Sequence, residues 1–178
     1  FIDNHQTYSW QEALPFMVKG DAAAYLMGDQ SETTGHIALR TVSGTYMLRK
    51  VGNIFEADMG EPSLSPDSIP FRAPDGTDRV VDFPLEVDGK TVHITACATG
   101  NPHCSLFVDS IDPERIGTLG PLLERHPAFP NLTNVEFVRV HNRDEIDVAF
   151  WERGVGHTPA SGTGACGATV AAILNGLT

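Results

Sequence analysis

Between Gly60 and Asp78 the chain carries Pro62, Pro66, Pro70 and Pro74, and nothing else in the sequence limits its fold so strongly. Proline fixes φ and has no backbone N–H, so a stretch punctuated this often holds neither a helix nor a central strand. It reads as a connection. The expected division is residues 1–70 as what represents an N-terminal half and residues 71–178 as a C-terminal half. A chain of 178 residues with 41% hydrophobic content has the material for one substantial core or two small ones.

Both sides of the connection read as strands. Ile37, Leu39 and Thr41 alternate with His36, Ala38 and Arg40, Ser43-Gly44 turns the chain, and a second turn at Gly52-Asn53 leads to Phe55, Ala57 and Met59. This predicts a three-stranded meander. Beyond the prolines, strands are expected near 80–87 and 91–97, joined by Asp88-Gly89, a strong hairpin signal. Further strands are expected at 105–109, 135–140 and 145–151. Asp112-Pro113 is an N-cap with a first-turn proline, and Leu122–His126 reads as a short helical piece stopped before Pro127. In the last segment, Gly162-Thr163-Gly164 feeds a helix over 165–174 whose apolar face is read as Cys166, Val170, Ile173 and Leu177.

Composition narrows the partners. The formal charge of −11 and singly scattered basic residues argue against nucleic acid or an anionic membrane. No stretch approaches the ~20 apolar residues of a membrane-spanning helix. Cys97, Cys104 and Cys166 are too few and too irregularly spaced for a disulfide framework or a zinc site, so no metal is expected and a reducing cytoplasmic setting is. An anionic substrate would need locally placed donors.

A glycine-rich turn entering a helix presents unpaired N–H groups at the positive end of the helix dipole, which suits a carboxylate or phosphate. Gly162, Thr163, Gly164 and Ala165 are the donors expected here. Taken alone, such a turn more often just caps a helix. Shortly before it, Glu152 offers an acceptor for an ammonium group and Arg153 a fork of donors for a carboxylate, together a match for a zwitterion. Adjacent opposite charges are otherwise most simply a surface ion pair.

What tips the balance is the whole run from Trp151 to Ala168, Trp-Glu-Arg-Gly-Val-Gly-His-Thr-Pro-Ala-Ser-Gly-Thr-Gly-Ala-Cys-Gly-Ala. It resembles the signature of the diaminopimelate epimerase family, Glu-Arg-Gly-x-Gly-Glu-Thr-x-Ala-Cys-Gly-Thr-Gly-Ala-Cys-Ala. Gly100-Asn101-Pro102-His103-Cys104 is similar to that family's Gly-Asn-Pro-His-Cys loop, and Thr133-Asn134-Val135 to its Thr-Asn-Val strand. The resemblance covers residues 21–178 and implies an α+β protein of two similar halves, each a mixed or antiparallel sheet wrapped around a central helix, with substrate between them. It also implies a homodimer and a reaction without cofactor.

Carried over by position, the resemblance implies that Asn101, Asn134, Glu152, Arg153, Gly162 and Thr163 contact the substrate. His103 would tune a nearby acid or base, and Glu152 would count among the catalytic residues beside Ser161 as well as among the substrate contacts. The family interconverts LL- and meso-diaminopimelate, on the route to lysine and cell-wall precursors, with one thiol on each face of the α-carbon: one abstracts the proton and the other returns one. The second thiol position is Ser161 here. An alcohol is a far weaker acid than a thiol, so the bare two-thiol scheme does not transfer unchanged. Cys166 lies within the helix, where its spacing predicts a packed core thiol, and His157, where the family has glutamate, is a weaker substitute base.

The first thiol's motif has no counterpart. Residues 19–26 are similar to the helix that follows it, which would put Asp21 near the thiol, and Phe1-Ile2-Asp3-Asn4 is similar to a segment that the family places about a half-domain earlier. The expectation is that the sequence joins segments across residues it does not include, with junctions near His5–Thr7 and Phe16–Val18; an intact mass of only about 19 kDa would count against it. Three other readings stand beside epimerisation: a related racemase or hydroxyproline-type dehydratase working with a single base, an amino-acid-binding homologue without turnover, and an engineered serine at 161.

Overall fold

The computed structural model describes residues 25–27, 36–41, 44–51 and 54–178. Two compact units divide between Met59 and Gly60. In the first, β1 (Tyr25–Met27), β2 (His36–Thr41), β3 (Gly44–Val51) and β4 (Ile54–Ala57) form an antiparallel sheet in sequence order. The meander is present, with Thr41 opposite Gly44 and Val51 opposite Ile54. Tyr25 and Leu26 belong to a strand rather than the helix that their family likeness predicts, because they complete the edge of the sheet against Arg40 and Leu39. The reading of Asp21 lies outside the described residues, as do the proposed junctions near residues 5–7 and 16–18.

The second unit is α+β. Its strands are β5 (Phe83–Val87), β6 (Lys90–Ala98), β7 (Pro102–Phe107), β8 (Asn134–Asn142), β9 (Glu145–Glu152) and β10 (Gly156–Thr158), in the spatial order β10-β9-β8-β7-β6-β5. Every neighbouring pair is antiparallel except β7 and β8. A parallel pair needs a crossover, and helix α1 (Pro113–Glu124) supplies it. Helix α2 (Gly162–Leu174) follows β10.

Alternation along the strands sorts the two faces of this sheet. Ala96, Cys104, Leu106, Val135, Phe137 and Ala149 face α1's Ile116 and Leu123, together with Ile69, Phe71, Val80 and Phe129. The proline-rich segment is therefore part of this core: Ser63 bridges Ala98 through paired backbone bonds of 2.8 and 2.9 Å, and Ile69 is wholly buried. The alternate positions are more polar. Thr95, His103, Ser105 and Glu136 are all buried on the face that α2 covers, where Gly167 of α2 lies against the His103 ring.

Two helix expectations are corrected. The short piece at 122–126 is the end of one helix starting at Pro113, with Asp112 accepting the Glu114 N–H at 3.0 Å as its N-cap. That helix runs through Pro121, whose missing N–H is owed to Gly117, an exposed position where water can serve the carbonyl. The buried face of α2 is Gly164, Gly167, Ala168, Ala171 and Ala172, while Ile173 and Leu177 are exposed and Cys166 is only half-buried rather than a packed core thiol. The reason is closeness. A Cβ on Gly164 would stand 2.8 Å from the Phe150 ring and one on Gly167 2.9 Å from His103, so only small residues fit between helix and sheet.

Candidate functional site

The strand directions gather the predicted binding residues at one edge of the second unit's sheet. Antiparallel β6 and β7 meet there through Ala98 opposite Pro102, which puts Asn101 in the turn between them. The parallel pairing of β7 with β8 sets His103 beside Asn134, and the antiparallel β9 brings Trp151 opposite Val135, with Glu152 next in line. The start of α2 arrives at the same edge, where Thr99 Oγ1 donates to the Thr163 carbonyl at 3.4 Å. Asn101, Asn134, Glu152, Arg153, Gly162 and Thr163 thus come from four separate segments to a common edge.

Two asparagines anchor this edge differently. Asn134 is buried and serves the backbone: its Nδ2 donates to the Pro102 carbonyl at 3.0 Å and its Oδ1 accepts the Arg153 N–H at 2.9 Å. It ties β7 to the end of β9. Asn101 is half-buried and borders a cavity of about 290 Å³ with Ser63, Ser68, Gly100, Pro102 and Arg153. Gly100, which lines that cavity, and Gly154, next in sequence to Arg153, have φ of +84° and +76°, the left-handed region in which a side chain is strained.

Behind Asn101 lies a buried polar chain. His103 is inaccessible to solvent, with Nδ1 2.6 Å from Glu136 Oε1 and Nε2 2.9 Å from Asn101 Oδ1. Ser105 Oγ donates to Glu136 Oε2 at 3.3 Å. Burial pushes the Glu136 carboxyl up from its ordinary range, the hydrogen bond and charge of His103 and the Ser105 bond pull it down, and the charge of Glu152 adds to the rise. The imidazole is held at both nitrogens, and through it the orientation of Asn101 is coupled to a carboxyl in the protein interior.

Glu152 and Arg153 are not partnered with each other. Glu152 Oε1 accepts the Thr158 hydroxyl at 2.8 Å, and Arg153 Nη1 donates to the Asn131 carbonyl at 3.1 Å. Both keep capacity for a ligand. At α2, Ser161 is the N-cap: its Oγ accepts the Gly164 N–H at 3.2 Å and its carbonyl the Ala165 N–H at 3.0 Å. Two of the four anticipated anion donors are therefore committed to the cap. Gly162 and Thr163, the first two helical residues, are the ones whose N–H groups have no intrahelical acceptor.

A family model described as diaminopimelate epimerase matches residues 95–178. A diaminopimelate epimerase from Pelotomaculum thermopropionicum is 45% identical over 161 residues, which cover 88% of this chain and 57% of that protein. The chain belongs to the diaminopimelate epimerase family. Relatives of the same name from Acaryochloris marina (42% identical over 154 residues, 86% of this chain and 54% of that protein) and Heliobacterium modesticaldum (50% over 121 residues, 68% and 42%) agree. The chain spans about half the length of these curated relatives.

Within a diaminopimelate epimerase-family chain, the thiols invite attention, and two of them are unsuited to proton abstraction. Burial, then the charges of Glu136 and Cys166, push the Cys97 thiol up to about 12. Burial, with Glu136 and Cys97 behind it, also pushes Cys104 well up. Neither is a thiolate near neutral pH. His157 is exposed on β10, opposite Trp151. Two residues that matter were missed from sequence: Glu136, an acid inside the apolar run Val135–Val138, and Glu124, which falls on the buried face of α1 with Ile116, Gly120 and Leu123. An acid at a core-facing position was the available signal in both cases.

Proposed function

We propose that this chain forms part of the amino-acid site of a cofactor-independent epimerase that interconverts LL- and meso-diaminopimelate for lysine and cell-wall precursor synthesis. The observation carrying the reading is the convergence of Asn101, Asn134, Glu152, Arg153 and the start of α2 on one sheet edge. Arg153 and Asn101 would take a substrate carboxylate, and Glu152 an ammonium group. The free N–H groups of Gly162 and Thr163 would stabilise the charge that builds as the α-proton leaves. His103 would act through Asn101 rather than on substrate. The setting proposed is cytoplasmic and the assembly a homodimer.

Ser161 occupies the position of one proton-transferring group. As a neutral hydroxyl it is both a far weaker acid than a thiol and a poor base. The experiment is proton exchange at Cα in deuterated water with the complete protein and each stereoisomer of diaminopimelate, for the protein with Ser161 and for Ser161→Cys. Restoring the thiol is expected to raise turnover about 10²-fold or more, the scale of general acid–base catalysis. Neither exchange nor interconversion with either form would end the epimerase reading. Exchange accompanied by loss of a hydroxyl from hydroxyproline-like substrates would replace it with dehydration, and binding without exchange would make the chain an amino-acid-binding homologue. Sedimentation of the complete protein tests the dimer.

A further inference from the structure

Glu124 is a carboxylate in the core of the second unit, 3% exposed, at the last residue of α1. Its side chain does not reach the cavity edge. Instead Oε2 accepts the Trp151 indole N–H at 2.8 Å and Oε1 accepts the Gly154 N–H at 2.8 Å. Those two residues flank Glu152 and Arg153. Its own carbonyl accepts the Thr133 N–H at 3.1 Å, and Thr133 directly precedes Asn134, whose Oδ1 in turn holds the Arg153 N–H. One residue therefore fastens both of the segments that deliver Asn134, Glu152 and Arg153.

Packing supports the same contact. A Cβ at Gly120, one turn before Glu124, would lie 2.7 Å from the Trp151 ring, so the helix is pressed directly against the indole that Glu124 bonds. Arg153 Nη1 also reaches the Asn131 carbonyl in the loop that leaves α1. A burial this complete costs a carboxylate its hydration, and a helix end with no other task would be cheaper with leucine there. What the acid supplies is geometry: two charge-assisted acceptors aimed at a strand end that must keep one shape while its side chains face a ligand.

We propose that Glu124 is a positioning residue for the substrate site, fixing the Glu152–Arg153 turn relative to Asn134 from behind. This rests on the epimerase reading of that edge. Because Glu124 acts on groups that bind rather than on the group that transfers the proton, its loss weakens binding more than the chemical step. Glu124→Gln keeps the size but offers a single acceptor and turns an N–H2 toward the second N–H. Trp151→Phe removes one of the two bonds and leaves the Gly154 bond.

The test measures KM and kcat for diaminopimelate with the complete protein, beside thermal melts and the backbone NMR spectrum. Glu124→Gln is expected to raise KM about tenfold while kcat changes less than about threefold. Trp151→Phe should raise KM less, and the double variant should be no worse than Glu124→Gln, because both cut the same link. The Gly154 amide should be protected from hydrogen exchange in the natural protein and lose that protection in Glu124→Gln. A folded Glu124→Gln protein with unchanged KM overturns the inference, as does a variant that only melts earlier. If the protein with Ser161 and Ser161→Cys both fail to turn over or bind diaminopimelate, the reading of the site fails first and this inference falls with it.

Discussion

Ser161 Oγ already has a structural task as the acceptor for the Gly164 N–H, and any change there is felt by the helix as well as by the chemistry. Ser161→Ala should cost about 1 kcal/mol, read as a lower melting temperature, because the cap is lost. Ser161→Cys should lose part of that, since sulfur is a weak acceptor, while gaining turnover. A rise in activity with a small fall in stability is the signature that separates a restored acid–base group from a merely better-folded protein. At Cys97 the coupling is to pH. Its folded-state value, about 12, lies above the ordinary 9.0, so the folded state holds the proton more tightly than the unfolded state does. The associated stability is fully present below pH 9 and declines as pH rises toward 12. Denaturant titrations across that range should show the decline, and Cys97→Ala should flatten it. The same thiol should resist modification at pH 8 until the protein unfolds.

Helix α1 carries an internal comparison between two glycines one turn apart. Gly117 has open space around the position of a Cβ, whereas at Gly120 the Cβ would meet the Trp151 ring at 2.7 Å. Gly117→Ala should therefore stabilise by roughly 0.4–1 kcal/mol, through the unfolded chain's lost freedom. Gly120→Ala should destabilise by about 1–3 kcal/mol by overpacking, with the cost falling on the indole that Glu124 holds. Chemical denaturation of the two variants reads both signs. Local patterning made most strands legible: the alternation in 145–151 and the Asp88-Gly89 hairpin needed only neighbours in sequence. The α2 face was misread because 3.6-residue periodicity points the large apolar residues inward. Only the tertiary approach of Gly164 and Gly167 to Phe150 and His103 dictates that small residues go there instead. For Glu124 the core-facing position was legible in the helical spacing, but its partners, 27 and 30 residues away, were not.

The described core belongs to residues 60–178, and the proline-rich segment, read from sequence as a bare connection, supplies Ile69 and Phe71 to it. A fragment of residues 60–178 should therefore unfold cooperatively, whereas one starting at 79 should not; urea transitions followed by fluorescence and circular dichroism distinguish them. No helix among the described residues is long and apolar enough to cross a membrane. Residue identities pointed to the site; what sequence could not supply was the parallel pairing of β7 with β8 in the second unit's sheet, which makes separate segments end together. That pairing also says where the protein will accept foreign sequence. A one-residue insertion within β7, β8 or β9 would slip the register and turn side chains to the opposite face. The β8–β9 hairpin tip at Arg143 and Asp144 is exposed and sits roughly 26–30 Å along the strands from Glu152 and Asn134. A peptide tag or a fluorescent reporter grafted between Arg143 and Asp144 should leave the binding edge intact, giving a way to label this molecule while its chemistry is measured.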